Sequence, residues 1–191
     1  MKVVAFNGSP RKGGNTEMMI RKVFEVLESE GIKCELVQVG GTMVRGCRAC
    51  GKCKELKNNR CVFNDDPVNE WIQKMIEADG IIIGSPTYFA ALTSETKAFI
   101  DRTGYVSRAN GGLYKRKAGA AVVAVRRAGA LNVFQAINNF FLVSEMIVPG
   151  SLYWNMSLSR DIGEFEKDEE GVRTMTVLGE NMAWLLKKTV Q

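Results

Sequence analysis

The sequence predicts an α/β fold in which a parallel β-sheet lies between two layers of helices. Short apolar segments rich in β-branched residues recur along the 191 residues, as is typical of strands buried on both faces. Helical segments separate them, and strands that alternate with helices form parallel sheets with right-handed crossovers. Because a chain of this length can bury its own core, we predict one domain, residues 1–191, with a cysteine-rich loop insertion at residues 40–65.

The first half of the chain contains two predicted strands and two predicted helices. An apolar run at residues 3–6 predicts the first strand, and helical spacing of apolar residues predicts a helix over residues 15–31. Residues 35–39 alternate between polar and apolar and predict the second strand. Asp66 followed by Pro67 predicts the N-terminus of the second helix.

The second half repeats the alternation of strand and helix. Its elements are predicted at residues 80–84, 94–102, 120–125, 130–144, 146–148 and 172–188, beginning with a strand. Ligands of such sheets bind beyond the carboxyl ends of the strands. We therefore look for chemistry in the loops after the first, third and fourth strands.

Two features of the composition limit the chemistry. The chain has no histidine, which excludes Ser-His-Asp and Cys-His catalytic units and His-ligated zinc or haem. The net charge of +5 is concentrated in residues 45–61, whose charged residues are Arg45, Arg48, Lys52, Lys54, Lys57 and Arg60 against Glu55 alone. Because the basic charge is local and not spread along a face, we expect no nucleic-acid partner.

The chain shows no targeting or membrane signal. Its amino-terminal apolar run is too short for a signal peptide, and no stretch reaches the roughly 18 apolar residues of a membrane span. We expect a cytoplasmic protein with no membrane partner. In a reducing cytoplasm, closely spaced cysteines act as ligands or redox groups more often than as disulfides.

The loop at residues 8–16, here called the phosphate loop, predicts a phosphate-binding site. Its glycines and the following helix N-terminus direct N–H groups at an anion, and Ser9, Asn15 and Thr16 add donors. The lysine of an NTPase P-loop is out of position, and the dinucleotide fingerprint is missing. A solvent-exposed turn is the simpler alternative, but nine residues exceed the usual length of such a connection.

These residues resemble a known family. The motif Gly-Ser-Pro-Arg-Lys-Gly-Gly-Asn-Thr, with Gly-Ser-Pro-Thr-Tyr-Phe at residues 84–89 and Lys-Ala-Phe-Ile-Asp-Arg at 97–102, is similar to the flavodoxin-like NADPH-dependent FMN reductases, including their iron-sulfur flavoprotein branch. The resemblance implies a five-stranded parallel sheet of order 2-1-3-4-5 and FMN as cofactor. The residues expected to hold its phosphate are Ser9, Arg11, Gly14, Asn15 and Thr16.

The family pattern places the loop after the third strand against the flavin ring. Its residues are Pro86, Thr87, Tyr88 and Phe89. The two aromatic rings offer a surface for a flat heterocycle, and the Thr87 hydroxyl can bond its polar edge. Alternatively, one of the two aromatic side chains fills the core.

Arg126 and Arg127 follow the fourth strand, where many flavin reductases have a glycine-rich turn. Positive charge near the N1–C2 carbonyl region of the flavin would favour its reduced, anionic form. A solvated pair at a helix start is the alternative, although arginine there opposes the helix dipole.

The pattern Cys47-x2-Cys50-x2-Cys53-x7-Cys61 resembles [4Fe–4S] ligation more than zinc ligation, which usually uses two separate Cys-x2-Cys pairs. The surrounding cations lower the cost of ionising the thiols. A thiol-rich dimer contact, a redox-active thiol pair and a zinc site stay open as alternatives. Cys34 is expected to be a buried small hydrophobe.

Together these features predict an FMN-dependent oxidoreductase that passes electrons from NAD(P)H or a reduced carrier to an acceptor through flavin and an adjacent [4Fe–4S] cluster. The alternatives are a ferredoxin-coupled electron-transfer flavoprotein without NAD(P)H turnover and a cluster-free NAD(P)H:quinone or FMN reductase. The basic segment at residues 45–61, here called the cysteine window, suits an acidic, ferredoxin-like partner. The resemblance also implies a homodimer or homotetramer.

Overall fold

The computed structural model describes residues 1–190 and contains a sheet of five parallel strands. The strands are β1 Lys2–Asn7, β2 Lys33–Gln38, β3 Gly80–Pro86, β4 Ala118–Val125 and β5 Met156–Leu158. Their order is β2-β1-β3-β4-β5. The predicted fold class and strand order are therefore confirmed.

Six α-helices and one 3₁₀ turn lie between and after the strands. The helices are α1 Asn15–Ser29, α2 Lys52–Leu56, α3 Val68–Glu77, α4 Ser94–Ala109, α5 Ala130–Val143 and α6 Glu169–Thr189, and the 3₁₀ turn is Glu164–Lys167. The short helix α2 lies in the cysteine-rich segment and was not predicted. No helix within residues 1–190 combines the length and apolarity that a bilayer crossing requires.

The helices cover both faces of the sheet because alternate strand residues point to opposite sides. In β1, Val3 and Ala5 face α1 and α6, whereas Val4 and Phe6 face α3, α4 and α5. All four side chains are almost completely buried. This double burial explains why the strands appear as continuous apolar runs.

The fifth strand predicted at residues 146–148 is wrong. There, Ile147 alone pairs with β4, donating to the Lys117 carbonyl and accepting from the Gly119 N–H, both at 2.9 Å. Pro149 then follows, and proline cannot donate to a strand ladder. The chain leaves the sheet and returns at Met156–Leu158, so β5 ends beside the carboxyl end of β4.

Candidate functional site

A cleft of about 240 Å³ lies at the carboxyl edge of the sheet. The residues that line it come from the loops after β1, β3 and β4 and from the segment after β5, and are Ser9, Arg11, Asn15, Thr16, Pro86, Thr87, Tyr88, Ala124, Arg126, Ser159 and Arg160. The structure thus brings together eight of the eleven residues predicted for the flavin. Gly14, Phe89 and Arg127 lie outside this lining.

The phosphate loop is fixed at both ends. The Gly8 N–H donates to the Gly84 carbonyl of β3 at 2.7 Å, and the Gly13 N–H donates to the Glu17 carboxylate at 2.8 Å. Burial raises the pKa of Glu17, but the bonds from Gly13 and Arg21 outweigh burial and hold that pKa below its usual range. Glu17 is therefore an anion that orients the loop.

Gln38, the last residue of β2, and Gly40, which lies shortly after it, both contact the phosphate loop, and sequence reasoning missed both. Gln38 Nε2 donates to the Ser9 carbonyl at 2.6 Å and to the Gly40 carbonyl at 2.7 Å. Gly40 lies so close to the loop that a Cβ there would come within 2.3 Å of the Ser9 backbone. In the sequence only the glycine pair Gly40-Gly41 hints at this close approach.

The Asn15 side chain is already engaged. Its Nδ2 donates to the Asp161 carbonyl at 2.8 Å, and its Oδ1 accepts from the N–H groups of Gly163 and Phe165, each at 3.2 Å. The amide thus ties the segment after β5 to the start of α1. What Asn15 can offer a phosphate is its backbone N–H at the helix N-terminus.

The loop after β3 forms a tight turn, in which Tyr88 and Ala91 exchange backbone hydrogen bonds of 2.8 and 2.9 Å. Phe89 and Ala90 both have positive φ, 49° and 59°. The expectation that one aromatic side chain fills the core is wrong, because Tyr88 is 46% and Phe89 106% exposed. The turn lifts both rings away from the sheet.

Thr87 carries an unused polar group in the cleft. Its Oγ1 is buried and has no hydrogen-bond partner within the described part of the chain. Buried hydroxyls are normally paired, since an unpaired one costs free energy. The cleft therefore fits a ligand with a polar edge, as FMN has.

The two arginines after β4 differ in position. Both are exposed, but Arg126 lines the cleft and Arg127 does not. Ser159 and Arg160, which sequence reasoning missed, complete the same wall. They were missed because the fifth strand was predicted ten residues too early.

A second cavity, of about 630 Å³, contains the predicted metal ligands. Cys47, Cys50, Cys53 and Cys61 all line it, all are free thiols, and α4 forms its floor with Arg102, Tyr105 and Val106. Residues 1–190 contain no group of three ligands arranged around a single metal ion. All four cysteines line this one cavity, whose volume admits a group of several atoms. This cavity shares no residue with the cleft.

The cysteine cavity is supported by a polar network. Asn69, which is 5% exposed, accepts from the Cys61 N–H at 2.7 Å and donates to the carbonyls of Cys61 and Phe63, both at 2.9 Å. Arg45 and Arg48 stack on the Phe63 ring at 5.5 Å from its centre. Sequence reasoning did not identify Asn69 because most of its partners are backbone groups, which leave no pattern in the sequence.

Arg102 closes the floor of the cysteine cavity. Burial lowers the pKa of its guanidinium, but interactions with Asp66 and with the Cys61 sulfur outweigh burial and raise that pKa above its usual value. The Asp66 carboxylate forms an ion pair with Arg102 in which both side chains are almost completely buried. Arg102 belongs to the quoted motif at residues 97–102, but the sequence did not assign it a role.

The cations of the cysteine window are exposed to solvent, and Arg48, Lys54 and Lys57 also line the cysteine cavity. Lys52, Lys54 and Lys57 are exposed, and Lys52 pairs with Glu55 at 2.7 Å. Burial, with smaller effects from Cys61 and Cys47, raises the pKa of the Cys53 thiol. The raised pKa of Cys53 thus runs against the expected easing of thiol ionisation, because burial outweighs the backbone hydrogen bonds that lower it.

Cys34 lies apart from the cysteine cavity, in β2. It is half-buried and packs against the core on the α1 and α6 side of the sheet. Burial, with a smaller effect from Glu28, raises the pKa of its thiol to about 12. This agrees with its expected role as a small hydrophobe.

Comparison with known proteins places these two cavities in context. Residues 1–161 match the model of the NADPH-dependent FMN reductase family. An iron-sulfur flavoprotein of Methanocaldococcus jannaschii is 36% identical over 98% of both chains, and one of Methanosarcina thermophila is 32% identical over 98% of this chain and 96% of its own. A WrbA-like flavodoxin structure from Agrobacterium tumefaciens superposes with a TM-score of 0.69, at 17% identity over 98% of both chains.

The last of these similarities shows the fold, and the first three show the family. The matched residues include the phosphate loop, the loop after β3 and all four cysteines of the second cavity. This chain belongs to the NADPH-dependent FMN reductase family, in its iron-sulfur flavoprotein branch.

Proposed function

We propose that this flavin oxidoreductase passes electrons from NAD(P)H or a reduced carrier to an acceptor through FMN and a [4Fe–4S] cluster. The observation that carries the proposal is the convergence of four free cysteines on one cavity, separate from the cleft that suits FMN. FMN, when bound, supplies hydride and single-electron chemistry. The family supports FMN and redox chemistry, and the cluster and the donor are our proposal.

The cleft would hold FMN through backbone and side-chain donors. The phosphate loop and the N-terminus of α1 would face the phosphate, beside the buried side chains of Ser9 and Thr16 that line the cleft. Arg11 lines the cleft and donates to the Arg160 carbonyl at 3.1 Å, which holds its cation beside the site. Thr87 Oγ1 would bond the polar edge of the ring, and Arg126 would favour the reduced form.

The second cavity would hold the cluster through the thiolates of Cys47, Cys50, Cys53 and Cys61. Four cysteine ligands suit a [4Fe–4S] cluster, whose potential depends on burial and on hydrogen bonds to its sulfurs. The proposed setting is a reducing cytoplasm, where the thiols would stay free for ligation.

An acidic electron carrier would suit the outer face of the cysteine window. Lys54, Lys57 and Arg60 are exposed there, next to the cavity. Opposite charge on a ferredoxin-like partner would speed its encounter, with a rate that falls as salt rises.

Anaerobic mixing with single donors tests the proposal. We expect flavin absorbance to bleach with NADPH or NADH, or with reduced ferredoxin. The donor that bleaches the flavin distinguishes an NAD(P)H-dependent reductase from a ferredoxin-coupled electron-transfer protein. Bleaching by ferredoxin alone would establish a ferredoxin-coupled electron-transfer protein and refute NAD(P)H turnover. Flavin reduction in a protein without iron would favour the cluster-free reductase. No flavin reduction by any donor would refute the proposed function.

We also propose that the protein forms a homodimer or homotetramer. An exposed apolar groove between α5 and the excursion before β5 supports this, with Leu142 62%, Tyr153 47% and Trp154 45% exposed. Apolar area of this kind on a soluble chain marks an interface. A monomer in sedimentation velocity would contradict this proposal.

A further inference from the structure

Arg102 joins both ends of the cysteine window through one buried guanidinium. The residue is 1% exposed and forms its ion pair with Asp66, whose side chain is 4% exposed. Its Nη1 also donates to the Arg45 carbonyl, and its Nη2 donates to the Phe63 carbonyl, both at 3.3 Å. Arg45 precedes the first cysteine and Phe63 follows the last, so Arg102 fixes the ends of the window relative to α4.

One N–H donor of this guanidinium takes part in none of these contacts. Arg102 Nε is buried and has no hydrogen-bond partner among the described residues. An unpaired buried donor on a charged group is costly, so its presence calls for an acceptor supplied in the functional state. Arg102 lines the same cavity as the four cysteines, and the Cys61 sulfur is its neighbour there.

We propose that Arg102 is a positioning residue whose Nε–H donates to the Cys61 sulfur when that cysteine ligates the cluster, and that this bond favours the reduced cluster. The inference rests on the proposed function, because it requires the cluster. A hydrogen bond from a cation to a ligand sulfur stabilises the extra negative charge of the reduced state. Asp66 limits the effect, since its carboxylate partly neutralises the guanidinium.

Two substitutions test the proposal in opposite directions. Arg102→Lys keeps the charge beside Asp66 but removes the Nε donor, so the reduced-to-oxidised ratio of the cluster at a fixed potential should fall at least tenfold. For a one-electron couple this is a decrease of about 59 mV. Asp66→Asn keeps an oxygen acceptor but removes the neutralising charge, so the same ratio should rise.

The readout is a redox titration of the holoprotein followed by electron paramagnetic resonance, with iron and FMN content measured on each sample. Lys22→Arg is the matched control, because Lys22 also pairs with a carboxylate, at 2.7 Å from Glu25, but lies on α1, on the other face of the sheet and outside the cleft. Its cluster potential should equal that of the unsubstituted protein.

Opposite shifts in the two variants would support the proposal. An unchanged potential in cluster-loaded Arg102→Lys, or shifts of the same sign in both variants, would overturn it. Loss of the cluster from both variants would also overturn it, since the pair would then only hold the loop. An unsubstituted protein without iron and sulfide would refute the proposed cluster itself, a result distinct from these.

Discussion

Substitution of Gly40 by alanine is expected to disrupt the flavin site through backbone contact alone. A Cβ at this position would lie 2.3 Å from the Ser9 carbonyl carbon, 2.4 Å from the Gly8 carbonyl oxygen and 2.5 Å from the Pro10 nitrogen. Non-bonded carbon atoms in contact are about 3.5–4.0 Å apart, so the loop must move by roughly 1 Å or more. No side-chain rotation can relieve the clash, since all three partners are backbone atoms.

The displaced atoms belong to the phosphate loop, so the cost should appear in FMN binding. Overpacking of this kind costs about 1–3 kcal/mol. Because about 1.4 kcal/mol is a factor of ten in Kd, we expect the Kd of Gly40→Ala for FMN to rise by about five- to a hundredfold. Quenching of FMN fluorescence during titration of the apoprotein measures it, and urea unfolding of the same apoprotein measures the change in stability.

Gly150→Ala is the matched control, because a Cβ at Gly150 would meet no atom within 4 Å. Its Kd for FMN should equal that of the unsubstituted protein. An FMN affinity of Gly40→Ala within twofold of that protein would refute the reasoning, since the phosphate loop would then tolerate displacement.

Three further predictions concern single groups. Thr87→Val should weaken FMN binding by about two- to tenfold, the worth of one hydrogen bond, without destabilising the apoprotein, because the hydroxyl is unpaired there; FMN titration and urea unfolding check this. Asn69→Ala should lower the free energy of unfolding by about 1–3 kcal/mol and reduce the iron content, because it leaves the Cys61 backbone groups unpaired. The Glu95 carboxylate accepts a hydrogen bond from the Gly41 N–H at 3.1 Å. Burial raises the pKa values of Glu17 and Glu95, but hydrogen bonds to their carboxylates outweigh burial and hold both pKa values below the ordinary 4.5. The stabilisation from these carboxylates therefore holds above that pH and should be lost as the pH falls below it, which urea unfolding at several pH values measures.

Each of these predictions has a contrary result. Equal FMN affinity of Thr87→Val would show that its hydroxyl does not meet the flavin. Full iron content in a destabilised Asn69→Ala protein would show that the cluster binds without the Asn69 hydrogen bonds. A Glu17→Gln variant that loses stability on acidification as steeply as the unsubstituted protein would show that protonation of Glu17 does not cause this loss.

The sheet was largely predictable because its strands are buried on both faces, and burial leaves continuous apolar runs in the sequence. The fifth strand was not, because its two pairing segments are separated by an excursion that starts at Pro149. Residues 146–148 have the apolar composition of a strand, yet only Ile147 pairs with β4. Pairing is a long-range property that local composition does not encode.

The site was predictable where its residues follow strands in sequence and not where they act through the backbone. The phosphate loop and Thr87 belong to local motifs that precede helices, and these two motifs predicted seven residues of the cleft. Gln38 and Gly40 act on the loop through contacts that span about thirty residues of sequence. That the cysteine cavity and the cleft share no lining residue depends equally on tertiary packing.

The most direct test of the central claim is the content of iron, acid-labile sulfide and FMN in protein purified without oxygen. The account predicts about four iron atoms and four sulfides for each FMN and each chain. It also predicts that Cys61→Ala loses iron and sulfide but retains FMN, because the two cavities share no residue. A flavin-loaded protein with fewer than about two iron atoms per chain, or with zinc in place of iron, would contradict the account.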